Sequence, residues 1–233
     1  YEDSQGRFFI GSLNGLQIYD RATDSFTTIP MYLSSGAPIA PNIATILERN
    51  NGEILIGTSG HSMFLLETKG DSINARQISQ FIPSNLITSA YEDKKGNLWI
   101  STGDNGIFRF DENNQSKHYS GEKDIAKNTV SSMCEDHQGN LYMSSLKKGL
   151  FIYNDKADTF IPIIYTPNPN LPIKILYPGN QNEIFIGTDG SGIKIYDTQE
   201  QKIKEANFNI TTFNLKKAKV HSIPVSYTHL RAH

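Results

Sequence analysis

Along residues 92 to 111 the chain reads EDKKGNLWISTGDNGIFRFD: an acidic pair, a Gly-Asn turn, three contiguous apolar residues, a small residue, a second glycine-rich turn and another apolar stretch. The same order of polar and apolar positions returns at residues 135 to 154 as EDHQGNLYMSSLKKGLFIYN. Anchored on the first-turn glycine, the pattern falls at Gly6, Gly52, Gly96 and Gly139, with Asn182 in a fifth copy, at spacings of 46, 44, 43 and 43 residues. Asn tolerates positive φ better than most residues, so Asn182 is expected to keep the glycine's turn conformation. After each anchor comes an apolar triplet: Phe8-Phe9-Ile10, Ile54-Leu55-Ile56, Leu98-Trp99-Ile100, Leu141-Tyr142-Met143 and Ile184-Phe185-Ile186. A small residue follows (Gly11, Gly57, Ser101, Ser144, Gly187), then a second apolar stretch closed by Asp20, Glu67, Asp111, Asn154 or Asp197.

Short apolar runs separated by Gly, Asn and Asp turns at near-regular spacing predict strands, and contiguous triplets predict strands buried on both faces. Thr, Ile and aromatic residues crowd these runs and glycine interrupts each of them, which argues against helix. Every unit reads as four strands: one before the anchor, as in NTVSSMC (128 to 134), the triplet, the GIFRF type, and a weaker fourth, as in SFTTIP (25 to 30) and DTFIPII (158 to 164). Four strands per unit with a period near 43 predict an all-β chain of about five four-stranded antiparallel β-propeller blades, forming an incomplete or open propeller. The unit boundaries are placed at about 1–46, 47–90, 91–133, 134–176 and 177–223, with the first blade short of most of its inner strand. The code repeats because a blade cannot bury both faces without an equivalent neighbour.

Composition removes several alternatives. A formal charge of -2 over 233 residues leaves no basic stripe for nucleic acid. No apolar run approaches the roughly 18 residues of a membrane helix. Cys134 is the single cysteine, so neither an intrachain disulfide nor a cysteine zinc site is expected. Beginning on Tyr1 rather than Met, the chain is expected to be a fragment or a processed product.

The acidic pairs Glu2-Asp3, Glu92-Asp93 and Glu135-Asp136 invite comparison with the paired carboxylates of glycosidases. Their recurrence at a turn favours turn chemistry, the carboxylate accepting backbone N–H bonds. The histidines show no ligand spacing outside the tail, so no metal is expected, nor any cofactor or catalytic residue. Cys134 occupies the apolar slot of Tyr91 and Tyr177 and is read as a buried thiol. GTDGSG (187 to 192) lacks the Lys-Ser/Thr and helix of a phosphate loop and is read as a strand-to-strand turn.

The segments YEDKKGNLWISTGDNGIFRFDENNQSKHY (91 to 119) and CEDHQGNLYMSSLKKGLFIYNDKADTF (134 to 160) resemble the two-component-regulator propeller repeat, and the resemblance extends over about residues 1 to 223. It implies the sensor region of a hybrid two-component system, lying in the periplasm and followed in its parent by a β-sandwich, a membrane helix, a histidine kinase, a receiver and a DNA-binding module. None of these is written in this chain, so no phosphotransfer is expected from it. KVHSI (219 to 223) opens a sixth unit in register, Val220 matching Val130. PVSYTHLRAH then breaks the pattern; SYTHLRAH resembles sequencing-adapter read-through, so 224–233 is set aside as non-native.

Turns joining second to third strands, and the approaches to the inner strand (34 to 42, 120 to 128, 165 to 171), emerge at one end of the blades and vary where the cores do not. The residues there predicted to contact ligand are His61, Asp104, Asn105, Lys147, Lys148 and Asp189, whose chemistry suits sugar hydroxyls or uronate carboxylates. The implied partners are an oligosaccharide, a neighbouring propeller or sandwich domain of the parent, and a second copy in a homodimer. The alternatives are a non-catalytic interaction scaffold and, third, a propeller glycosidase or lyase.

Overall fold

The computed structural model describes residues 1–70, 72–78, 82–120, 125, 129–165, 168–206 and 218–220. The chain divides into two compact units, Tyr1–Val130 and Ser131–His233. The described residues form five antiparallel-based sheets and no α-helix. The first sheet has three strands, β1 (Phe8–Ser12), β2 (Gly15–Asp20) and β3 (Ser25–Ile29), with only a bridge from Glu2 to Phe8 in place of an inner strand. The third has β10 (Ile87–Glu92), β11 (Leu98–Thr102), β12 (Ile107–Phe110) and β13 (Ser116–Tyr119) in sequence order. The fourth has β14 (Val130–Glu135), β15 (Leu141–Ser145), β16 (Gly149–Asn154) and β17 (Thr159–Ile163). The fifth has β18 (Ile173–Pro178), β19 (Glu183–Thr188), β20 (Ile193–Asp197) and β21 (Lys202–Glu205).

The second sheet departs from four strands. To β6 (Ile43–Glu48), β7 (Ile54–Thr58), β8 (Met63–Lys69) and β9 (Ser72–Gln77) it adds a small outer hairpin, β4 (Met31–Tyr32) and β5 (Pro38–Ile39), with β4 parallel to β9. The stretch 34 to 42, expected to be an approach loop, therefore contains a strand. Glu67 was expected to close the third strand, but it lies inside β8, which runs on to Lys69 and pairs with Ser72.

Packing follows the triplets. Within each unit the middle residue of a triplet faces the following sheet, whose own flanking triplet residues face back, because side chains alternate along a strand. In the first unit Phe9 joins Ile54, Ile56 and Phe64 in one core, and Leu55 joins Leu98, Ile100 and Phe110 in another. In the second unit Tyr142 packs with Ile184, Ile186 and Tyr196. Each such side chain, fully buried, contributes about 1.5–3 kcal/mol. Phe9, Leu55, Trp99 and Tyr142 are buried as the repeat predicts. Phe185, expected to be equivalent, is only half-buried, since it stands on the onward face of the last described sheet.

The small slot has a steric cause. A Cβ on Gly11 would lie 2.5 Å from Ile43 Cγ2, one on Gly57 2.6 Å from Ile87 Cγ2, and one on Gly187 2.7 Å from Val220 Cγ1. The first residue of the following inner strand presses there on the backbone, so Val220 stands to Gly187 as Ile43 stands to Gly11. Residues 221–233, including the unusual tail, lie outside the described residues.

The turn acids act as read from the sequence. Asp93 Oδ1 accepts the backbone N–H groups of Lys95 and Asn97, and Asp136 Oδ1 those of Gln138 and Asn140. Asp3 does the same for Gln5 and Arg7. Asn182 does not take the positive φ expected of it. The fifth copy has Gly179 where Asp93 and Asp136 stand, so no carboxylate caps the turn there. The turn closes one residue later, from Glu183 N–H to Asn180 O at 2.9 Å.

Candidate functional site

The turns after β7, β11 and β19 are built alike. A buried threonine ends each strand, donating its hydroxyl across the turn and accepting a turn N–H. Thr58 bonds Ser62 O (2.8 Å) and His61 N (3.1 Å), Thr102 bonds Gly106 O (2.9 Å) and Asn105 N (2.9 Å), and Thr188 bonds Gly192 O (2.6 Å) and Ser191 N (2.9 Å). Ser145 makes a looser version, accepting Lys147 N–H at 3.2 Å. These hydroxyls hold the predicted site residues in place, and their recurrence at the end of the second strand, as Thr58, Thr102, Ser145 and Thr188, is a sequence signal that the repeat reading passed over.

In the first unit the segment Ile82–Leu86 binds both neighbouring turns. Asn85 O accepts the N–H groups of Gly60 and Ser62, and Leu86 O accepts that of Gly103. Ser84 Oγ donates to Asp104 Oδ1, and Asn105 Nδ2 donates to Pro83 O at 3.2 Å. His61, Asp104 and Asn105 are thus gathered around one segment. His61 O accepts Gln77 Nε2 at 2.9 Å, while its ring Nδ1 is buried without a hydrogen bond. His118, absent from the predicted set, braces this place: its Nε2 lies 2.6 Å from Asn105 O and its ring stacks on Phe108 at 4.3 Å. Thr102, Gly103, Asp104, Asn105 and Gly106, with Ser120 and Thr129, enclose an open polar pocket of about 200 Å³.

In the second unit Lys147 and Lys148 are exposed on the turn after β15. That turn lies beside the approach segment, since a Cβ on Gly149 would meet Pro169 O at 3.1 Å. Asp189 sits between Lys174 Nζ (3.4 Å) and Lys219 Nζ (3.5 Å). Burial works to raise its carboxyl, but the two ammonium groups outweigh it and hold the pKa below the ordinary carboxylate value. Asp189 therefore carries charge that is already paired, whereas the two lysines face solvent.

The repeated carboxylates are committed to the frame. Beyond the turn caps, Glu92 accepts Asn50 N–H at 2.5 Å and Arg49 Nη2 at 3.1 Å, and Glu48 accepts Ser4 N–H at 2.7 Å. The acid at this slot, Glu48 or Glu92, thus ties its sheet to the turn of the preceding one. Among the described residues, no three His, Cys, Asp or Glu side chains converge to hold a metal. Cys134 is buried, and that burial, with the charges of Asp136 and Glu135, pushes its thiol pKa well up. It has neither access nor thiolate for nucleophilic chemistry.

The two-component regulator propeller model matches residues 82–104 and 124–147, spans that include Ser84, Asp104 and Lys147. No curated protein matches the chain. Among solved structures, the extracellular domain of the B. thetaiotaomicron hybrid two-component system BT4673 superposes with a TM-score of 0.75 at 18% identity, over 95% of this chain and 30% of that one. The corresponding domain of BT3049, from the same organism, gives 0.72 at 20% identity, over 94% and 29%. A streptogramin B lyase gives 0.66 at 16%, over 90% and 68%. At such identities the likeness carries the propeller fold and not the chemistry. The chain spans under a third of the length of the two extracellular domains.

Proposed function

We propose, for a chain that carries two-component regulator propeller repeats, that it is sensor propeller of a hybrid two-component system, working outside the cytoplasm and binding an oligosaccharide at its loop end. The observation that carries the reading is the polar pocket at Thr102–Gly106, where Asp104 and Asn105 stand beside Ser120 and Thr129. Acid, amide and hydroxyl groups on a braced turn are the donors and acceptors that sugar hydroxyls need. Binding would be relayed to a histidine kinase elsewhere in the parent protein, and the chain itself would be non-catalytic. Supporting that last point, the turn carboxylates are spent on backbone N–H groups and the inner segments ATIL, TSAY, SSMC and KILY carry no acid.

The test is a titration of the chain with neutral and uronate-containing oligosaccharides, followed by calorimetry. Asp104→Ala and Asn105→Ala are expected to weaken binding at least tenfold while leaving the thermal transition in place. Unchanged affinity in both variants would move the site elsewhere, and no binding by any sugar would favour a scaffold. One feature favours that second reading. The first sheet exposes Ile10 and Phe26, and the turn between its first two strands exposes Leu13, apolar surface that a neighbouring domain or second copy could cover.

A further inference from the structure

Four of the five triplets carry an aromatic ring at the middle position: Phe9, Trp99, Tyr142 and Phe185. The second carries Leu55. Against Leu55, between the second and third sheets, lies a cavity of about 180 Å³. Met63, Leu65 and Phe110 wall it, and Arg49, Glu53 and Asn114 form its polar side. The repeat explains the space, because a branched aliphatic side chain stands where its counterparts place a six-membered or indole ring. An apolar cavity of roughly 150 Å³ lined by such residues stays dry and takes up benzene.

The polar side sets the rest of the ligand's chemistry. In the third and fourth sheets the ring's own polar hydrogen is received six residues earlier: Trp99 Nε1 donates to Asp93 at 2.8 Å and Tyr142 OH to Asp136 at 3.3 Å. In the second sheet that earlier slot is Arg49, whose guanidinium is already turned to Glu92 (3.1 Å) and Glu53 (3.3 Å). The acceptor open to a guest is therefore the second oxygen of Glu53, whose Oε2 already takes Asn51 Nδ2 at 2.8 Å and Arg49 Nη1 at 3.3 Å and whose side chain remains 45% exposed. A guest with an N–H or O–H would find a carboxylate oxygen, and one with a carboxylate of its own would be repelled, because the Arg49 guanidinium is already shared between Glu53 and Glu92.

We propose that this cavity binds a small neutral aromatic molecule with one N–H or O–H donor, of the size of phenol or indole. The ring takes the place of the missing side chain and the donor meets Glu53. The site is separate from the polar pocket and stands whether or not the chain senses a sugar.

The test follows the methyl signals of the four methionines by NMR while indole, phenol or benzoate is titrated into the protein. Met63 is 1% exposed and lines the cavity, whereas Met31, Met133 and Met143 do not. The expected result is a saturable millimolar shift of the Met63 signal alone, with benzoate at least tenfold weaker than phenol. Leu55→Trp, which fills the space from within, should abolish the shift and raise the melting temperature. Leu65→Phe serves the same purpose if that variant does not fold. No saturable shift in the wild type, a shift shared by all four methyls, or one that persists with the cavity filled would overturn the site. Equal binding of benzoate and phenol would overturn the role of Glu53.

Discussion

The indole N–H of Trp99 donates to Oδ2 of Asp93 at 2.8 Å, and the other oxygen of the same carboxylate caps the Lys95–Asn97 turn. One buried acid thus joins the turn to the core. The fourth sheet repeats the pair as Asp136 and Tyr142, and the fifth replaces both members at once, with Gly179 and Phe185. A Cβ on Gly179 would lie 2.8 Å from the Phe185 ring, so the ring leans into the space the acid would occupy. Acid and polar ring, or neither, is the rule that holds in these three copies; in the first sheet Asp3 stands with the apolar Phe9, and Arg7 Nε supplies the donor to its Oδ2 at 2.6 Å instead.

That rule predicts a measurable coupling. Trp99→Phe should cost about 1–2 kcal/mol by leaving a buried carboxylate oxygen short of a donor, and Asp93→Gly about 2–4 kcal/mol by orphaning several N–H groups. Together they should cost at least 0.5 kcal/mol less than the sum, since each removes the other's unmet need. Urea unfolding followed by circular dichroism provides the cycle; strict additivity would mean that the two residues act independently.

Gly57 should tolerate no side chain. Its Cβ would meet Ile87 Cγ2 and Thr45 Cγ2, both at 2.6 Å, and overpacking of this kind costs about 1–3 kcal/mol. Gly57→Ala is expected to lower the urea midpoint accordingly, and an unchanged midpoint would show that the two inner strands can yield to the added methyl.

Ser62 holds φ at 60° where Gly106 and Gly149 hold 78° and 77°. It is buried, and its hydroxyl has no hydrogen-bond partner. Ser62→Gly should therefore stabilise the protein by about 1 kcal/mol, by relieving the left-handed strain. The reverse change, Gly106→Ser, should destabilise it by a similar amount; thermal melts of the two variants should move in opposite directions.

Asp189 gives an acid-side dependence. Its pKa is held down in the folded protein although burial alone would raise it, because Lys174 and Lys219 oppose that tendency. A carboxylate with a depressed folded pKa contributes its stability above its unfolded value, near pH 3.9, and loses it as pH falls through the folded one. Asp189→Asn should consequently be less stable than the wild type at neutral pH, with the difference closing below about pH 4. Denaturation midpoints from pH 2.5 to 7 measure this, and a constant gap across the range would contradict it.

The frame was legible because its chemistry is local and recurs. Asp93 and Asp136 cap turns within four residues of themselves, and the triplets carry burial in their order. Much that was misread depended on distance or on a missing partner. Asn182 looked like a glycine substitute, yet Gly179 three residues earlier had already removed the cap that fixes the turn. Phe185 matches Trp99 in sequence but not in what lies beside it. The β4–β5 hairpin consists of two-residue strands, too short for any period to announce, and the roles of Glu48 and Glu92 lie some 44 and 42 residues away in the preceding turn. Of the candidate site, the turns bearing His61, Asp104 and Asn105 were readable as loops. Their common anchor, Ser84 to Leu86, was not, because backbone carbonyls carry no sequence label.

The small hairpin on the second sheet bears on how this chain behaves at high concentration. An outer strand with free N–H and C=O groups is a template for aggregation, and proteins blunt such edges with proline, lysine or a covering segment. Here β4 and β5 cover β9, and Pro38 sits in the strand that becomes the rim. The outer strand of the fourth sheet contains Pro162, those of the third and fifth contain Lys117 and Lys202, and Pro30 directly follows that of the first. A repeat that reuses one strand pattern five times thus protects its outer edges by unrelated local means, so that like strands pair within their own sheets rather than between molecules.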